Sequence, residues 1–157
     1  MASISAFGIA CAGLTAALGA SSLAAASQAD EGRQPKSVSL NVEIAGLRNG
    51  KGLVRLCLAE KGDSFPDCGL KARSASVKAQ HGTVHLTFAD LPAGDYAVAA
   101  FHDANGNGKL DTMMGIPREG FAFSSNPPLR PRAPSFNESR LHLTVDTTAQ
   151  LKMRYIL

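Results

Sequence analysis

The feature that most constrains the fold of this chain is an apolar residue at every second position over most of its length. The first run has its apolar members at Val38, Leu40, Val42 and Ile44. The same spacing recurs at residues 54–58, 84–88, 96–102, 140–145 and 150–157. Side chains two residues apart lie on one face of a β-strand, so this period predicts half-buried strands.

The predicted fold class is all-β. With a short edge strand at 72–78 the count is about seven strands, and no convincing amphipathic helix follows residue 29. This pattern predicts an antiparallel β-sandwich. The turn signal at residues 48–52 predicts that the first two strands form a hairpin. Residues 103–136, rich in Gly, Asn and Pro, are predicted to be a long irregular excursion.

The N-terminal segment predicts export. Residues 1–29 carry no charged side chain and are rich in Ala, Gly, Ser and Leu, and a polar segment follows at 30–36. We interpret 1–29 as a signal peptide cleaved after Ala26 or Ala29, 30–36 as a short linker and 37–157 as one domain. A basic region before the apolar stretch is missing, and the alternative is a buried Ala-rich helix of a cytosolic protein. The predicted location is periplasmic or secreted, with no membrane span in the mature chain.

Two cysteines, Cys57 and Cys68, remain after the leader. An even count in an exported domain predicts one disulfide, and two unpaired thiols are the alternative. Closing so short a loop stabilises the fold by about 3 kcal/mol in the chain-entropy model.

The charge pattern argues against nucleic-acid binding. The net charge of +3 is spread thinly, and the chain contains no Trp and only two Tyr for base stacking. Arg130 and Arg132 alternate with prolines, which is typical of a solvated loop.

One segment has the spacing of a cation-binding loop. Oxygen-bearing side chains alternate from Asp103, and Gly108 permits a sharp bend. Calcium binds six to eight such oxygens. The predicted ligands are Asp103, Asn105, Asn107, the Lys109 carbonyl, Asp111 and, folding back, Glu119. The alternative is a metal-free turn in which the Asx side chains satisfy the loop's own amides.

Aromatic residues suggest two further roles. Tyr96 follows a Leu-Pro-x-Gly turn and enters a strand, which predicts a structural tyrosine corner. A second set downstream is predicted to face a ligand or partner, since loops on a rigid scaffold often bind. Its members are Met113, Met114, Phe121, Phe123 and Asn126; the alternative is that they cap the core.

Catalytic signals are weak. Gly62-Asp63-Ser64 resembles a lipase nucleophile block but lacks the matching scaffold, and the four histidines are dispersed. A small hydrolase using His102, Asp103 and Glu119 is the weakest alternative, and we predict no enzyme.

The residues resemble a known family. The blocks in order are Leu91-Pro92-x-Gly94-x-Tyr96, Phe101 to Asp111, Gly115-Ile116-Pro117-x-Glu119-Gly120-Phe121 and Ser124-x-Asn126. They resemble the bacterial exported family called domain of unknown function 2141 over nearly the whole mature chain. The resemblance implies a periplasmic or secreted β-sandwich akin to transthyretin-like modules, and no enzymatic activity. The leading interpretation is an envelope module that binds an unidentified protein or small ligand; the alternative is a structural domain without ligand.

Overall fold

A computed structural model describes residues 37–69 and 72–157. The predicted signal peptide, residues 1–29, and the linker, 30–36, lie outside the described residues. Within the described part every regular element is a strand, and none is a helix that could cross a membrane. The strands are β1 (Val38–Ala45), β2 (Leu53–Glu60), β3 (Arg73–Lys78), β4 (Val84–Leu91), β5 (Gly94–Asp103), β6 (Thr112–Met113), β7 (Ile116–Pro117), β8 (Phe121–Phe123), β9 (Arg140–Leu143) and β10 (Thr147–Lys152).

The strands form two main sheets and a small hairpin. One sheet has the order β10-β1-β4, and the other has β3-β2-β5, in which β9 and β8 pair one after the other along the remaining edge of β5. Strands β6 and β7 pair only with each other in this arrangement. The prediction of an all-β fold is confirmed.

The predicted first hairpin is wrong. Strand β1 pairs with β4 and β10, whereas β2 pairs with β3 and β5, so the two strands belong to different sheets. The connection takes left-handed backbone angles at Gly46 and Gly52, with φ of 85° and 71°. A connection of seven residues that bends at both ends carries the chain from one sheet to the other.

Two other expectations differ from the observed topology. The sheets are not wholly antiparallel, because β1 and β10 run parallel from Leu40↔Thr147 to Ala45↔Lys152. The excursion 103–136 is not wholly irregular, because it contains β6, β7 and β8. Short strands of two or three residues give too few alternations to be visible as a period.

Both sheets contribute side chains to one hydrophobic core, as their alternation predicts. From the three-stranded sheet come Leu40, Ile44 and Leu151, and from the other Leu58 and Val98, all fully buried. Tyr96 is also buried, and its hydroxyl donates to the Pro92 carbonyl over 2.7 Å. This is the hydrogen bond that the predicted tyrosine corner requires.

The predicted disulfide is present. Cys57 in β2 is bonded to Cys68, with their Cα atoms 6.1 Å apart. The bond ties the segment that follows β2 to the face of the five-stranded sheet that points away from the core.

Candidate ligand-binding site

The outer face of the five-stranded sheet forms the floor of the site. Strand register places two rows of cross-strand neighbours on it. One row consists of Ser74, Cys57, Ala99 and Phe123, and the other consists of Ser76, Arg55, Phe101 and Phe121. The inward neighbours of these residues, such as Val98 and Ala100, are in the core. The outer floor is therefore apolar toward β8, where the two Phe side chains are only half-buried.

The disulfide loop, residues 61–69, forms one wall. Cys68 attaches it to Cys57, and the ring of Phe65 packs edge-on against Phe123 with centroids 6.0 Å apart. Phe65 also packs against Phe136 at 6.2 Å. These contacts extend the apolar floor over β8 toward the segment that precedes β9.

The Asp/Asn loop, residues 103–111, forms the opposite wall. Asp103 at the end of β5 is fully buried, and its Oδ2 accepts hydrogen bonds from Arg55 Nε at 2.5 Å and from Gly108 N at 2.9 Å. Burial raises the pKa of Asp103, but the hydrogen bonds from Arg55 and the loop amides outweigh it, so the pKa lies below its usual value. The carboxylate is thus held in its charged form.

The other predicted cation ligands form hydrogen bonds within this loop. Asn105 Oδ1 accepts from Asn107 N, and Asn107 Oδ1 accepts from Lys109 N. The amide groups of both Asn side chains donate to the Asp111 carboxylate at 2.8 and 2.9 Å. In these bonds the Asn oxygens satisfy backbone amides two residues further along the loop, as Asx side chains commonly do.

Glu119 closes the base of the loop. Its two carboxylate oxygens accept from Ala104 N and Asp111 N, each at 3.0 Å.

Asp103 Oδ1 is buried without a hydrogen-bond partner in the described part of the chain. Across residues 37–69 and 72–157, no group of three or more His, Cys, Asp or Glu side chains could hold a metal ion.

His102 belongs to a structural network. Its Nε2 lies 2.7 Å from the Lys51 carbonyl, which can only accept, so Nε2 donates there, and its Nδ1 lies 2.7 Å from the Tyr155 hydroxyl. That hydroxyl in turn accepts from Arg48 N. Burial raises the pKa of Tyr155 against the opposing effect of Arg48.

The three residues of the hydrolase alternative each have a structural partner. Successive side chains of β5 point to opposite faces, so His102 and Asp103 do not share one. His102 is bonded through both ring nitrogens, Asp103 pairs with Arg55, and Glu119 holds loop amides.

Two adjoining cavities lie on this side of the molecule. The first, which we call the sheet cavity, has about 570 Å³ and lies over Arg55, Cys57, Ala99 and Phe101. The second, the proline cavity, has about 480 Å³. Their linings share five residues, which mark where the cavities meet: Pro66, Asp67, Leu110, Phe121 and Phe123.

The proline cavity is lined mainly by apolar residues. The segment Pro127–Pro134 forms one side, and the apolar side chains Leu110, Ile116, Leu129 and Ile156 line it while staying exposed to solvent. Arg154 fixes the segment by donating to the carbonyls of Asn126 and Pro127. Cavities of 300–1,000 Å³ with apolar walls are typical of small-molecule sites.

The predicted ligand-facing residues divide into three groups. Phe121 and Phe123 line both cavities. Asn126 lines the proline cavity but also bonds β10, donating to Gln150 O and accepting from Lys152 N. Met113 and Met114 lie on the β6–β7 hairpin, and Met114 is 98% exposed.

Sequence reasoning missed the Pro127–Pro134 segment as a wall of the site. Alternating Pro and Arg were interpreted as a solvated loop, and no period reveals the Arg154 contact that holds the segment in place. The available signal was composition, since four of these eight residues are prolines, which have little polar surface.

Fold and site together define an all-β domain with an apolar cleft on the outer face of one sheet. The chain belongs to a family described as an uncharacterized protein conserved in bacteria (DUF2141), whose model matches residues 42–151. This match confirms the resemblance seen in the sequence. No curated protein and no solved structure matches the chain.

Proposed function

We propose that this domain is an exported, non-enzymatic module that binds a small apolar or amphipathic ligand in the proline cavity. The two sheets would form a transthyretin-like β-sandwich that carries the site. A disulfide between Cys57 and Cys68 supports an oxidising compartment outside the cytoplasm. The charge-free segment 1–29 supports export through a cleaved leader.

One observation carries the proposal. Apolar side chains surround a concave space yet stay exposed, as at Leu129, which is 56% exposed. Burying such surface gains about 25 cal/mol per Å². Contiguous exposed apolar surface of this kind marks binding sites more often than scattered residues do.

The rigidity of the walls also supports binding. The disulfide fixes the loop 61–69, and the Arg55–Asp103 pair fixes the loop on the other side. Preformed walls reduce the entropy lost when a ligand is bound. The Asp/Asn loop acts in this proposal as a structural wall.

Fluorescence of the neutral dye Nile red tests the proposal on the mature protein. We expect saturable binding to the wild type and at least tenfold weaker binding to Leu129→Asp, because a carboxylate enters the apolar wall. Val145→Asp is the matched control, since Val145 is 58% exposed but does not line either cavity.

Equal dye binding by the two variants and the wild type would place the dye elsewhere and contradict the proposal. Thermal melts of both variants check that each remains folded, which is expected because both positions are exposed.

A further inference from the structure

The ionisable side chains around the proline cavity show which class of ligand it accepts. Four cationic residues line it, Arg130, Arg132, Lys152 and Arg154, against the single acidic residue Asp67. Resting on the proposed function, we infer that the ligand is an alkyl chain ending in an anionic group, and that Lys152 binds this group.

The arginines are already engaged. Arg132 makes a two-pronged ion pair with Glu138 at 2.8 and 2.9 Å, and Arg130 lies 3.4 Å from the same carboxylate. Arg154 donates to two backbone carbonyls of the cavity wall. Each arginine therefore has a structural partner.

Lys152 differs from these arginines. It is exposed at the end of β10, and its backbone N–H donates to Asn126 Oδ1 at 2.8 Å, which fixes the strand end beside the cavity. In residues 37–69 and 72–157, its ammonium group has no hydrogen-bond or ion-pair partner. A purely apolar ligand would cover this charge without compensation, which is costly, whereas an anionic end would pair with it.

The carboxylate of Asp67 gives the ligand a direction. Asp67 lines both cavities and marks the end where they meet, whereas Lys152 lines the proline cavity alone. An anionic group is repelled from the Asp67 end and attracted to Lys152. The alkyl chain then extends along Phe123 and the proline segment.

Calorimetric titration of the mature protein with decanoate, decyl phosphate, decanol and decyltrimethylammonium tests this inference. These probes share one chain and differ in the head group. We expect both anions to bind at least tenfold more tightly than decanol, and the cation to bind most weakly. The ratio between decanoate and decyl phosphate distinguishes a fatty-acid source from a lipid-phosphate source.

Lys152→Met should weaken binding of the anions about tenfold and leave decanol binding unchanged, while Lys78→Met, on the exposed edge strand β3, changes neither. Equal affinity for all four probes, or an anion preference that survives in Lys152→Met, overturns this inference and leaves the proposed function standing. Absence of binding by every probe, decanol included, contradicts the proposed function itself.

Discussion

Arg55 Nε donates to Asp103 Oδ2 across 2.5 Å, joining the third residue of β2 to the last residue of β5. Asp103 is fully buried, and Arg55 retains about a third of its side-chain exposure. The same oxygen accepts from Gly108 N, so one carboxylate fixes both the strand pair and the Asp/Asn loop. This contact determines where one wall of the cleft lies.

Replacing Arg55 should therefore destabilise the protein. Arg55→Met leaves a buried carboxylate with backbone donors only, and we expect the free energy of unfolding to fall by about 2 kcal/mol, less than for a fully buried pair because Arg55 is partly solvated. Urea denaturation measures this change. Arg118→Met, an exposed site, should be neutral; a loss of the same size there would show that the ion pair is not responsible.

The Asp103 carboxylate should also make stability depend on acid pH. Its pKa is lowered in the folded state, so its contribution is present above the unfolded value of about 3.9 and is lost as pH falls through the folded value. Asp103→Asn should be less stable at pH 7 and should lose less stability between about pH 4 and pH 2. Urea titrations across this range test it. Parallel curves of unfolding free energy against pH for Asp103→Asn and the wild type would show that this carboxylate does not cause the pH dependence.

Gly120 should not tolerate a side chain. A Cβ there would lie 2.5 Å from Tyr155 Cζ and 2.8 Å from Met153 Cγ, displacing the ring that bonds His102. We expect Gly120→Ala to cost about 2 kcal/mol through overpacking. In Gly69→Ala the nearest atoms are 3.9 Å away, so the thermal midpoint should stay close to that of the wild type. Equal thermal midpoints for Gly120→Ala and Gly69→Ala would contradict the close packing of Gly120 against Tyr155.

Calcium should not change the stability of the Asp/Asn loop. The Asn105 and Asn107 oxygens accept loop amides, the Asp111 carboxylate accepts both side-chain amides, and Arg55 neutralises Asp103. We expect equal melting temperatures in millimolar calcium and in chelator. A rise of several degrees with calcium that is lost in Asp111→Ala would instead show a cation site, since a ligand that binds only the folded state raises the midpoint.

The alternation of the long strands was sufficient to predict the core. Leu40, Ile44 and Val98 are buried where the period places them, and Tyr96 forms the corner that its turn predicts. Val145 was assigned to a strand on the same grounds but lies beyond β9 and is exposed. The alternation of apolar residues does not show where a strand ends, because tertiary contacts determine which residues pair.

Strand partners and cavity walls could not be read from spacing. The parallel pairing of β1 with β10 joins residues more than a hundred positions apart. In β8 the small residue Ala122 faces the core and the two Phe residues face outward, the reverse of what size alone suggests. Only the sheet register shows that these rings lie on the floor of the cleft.

Methyl-group NMR during titration with decanol shows whether the proline cavity is a binding site. We expect progressive, saturable shifts at the methyl groups of Leu110, Ile116, Leu129 and Ile156, which line the cavity, and none at Val145. Decanol carries no charge, so the result does not depend on Lys152. Unchanged methyl signals up to the solubility limit of decanol, or shifts centred on Val145, would show that the proline cavity does not bind it.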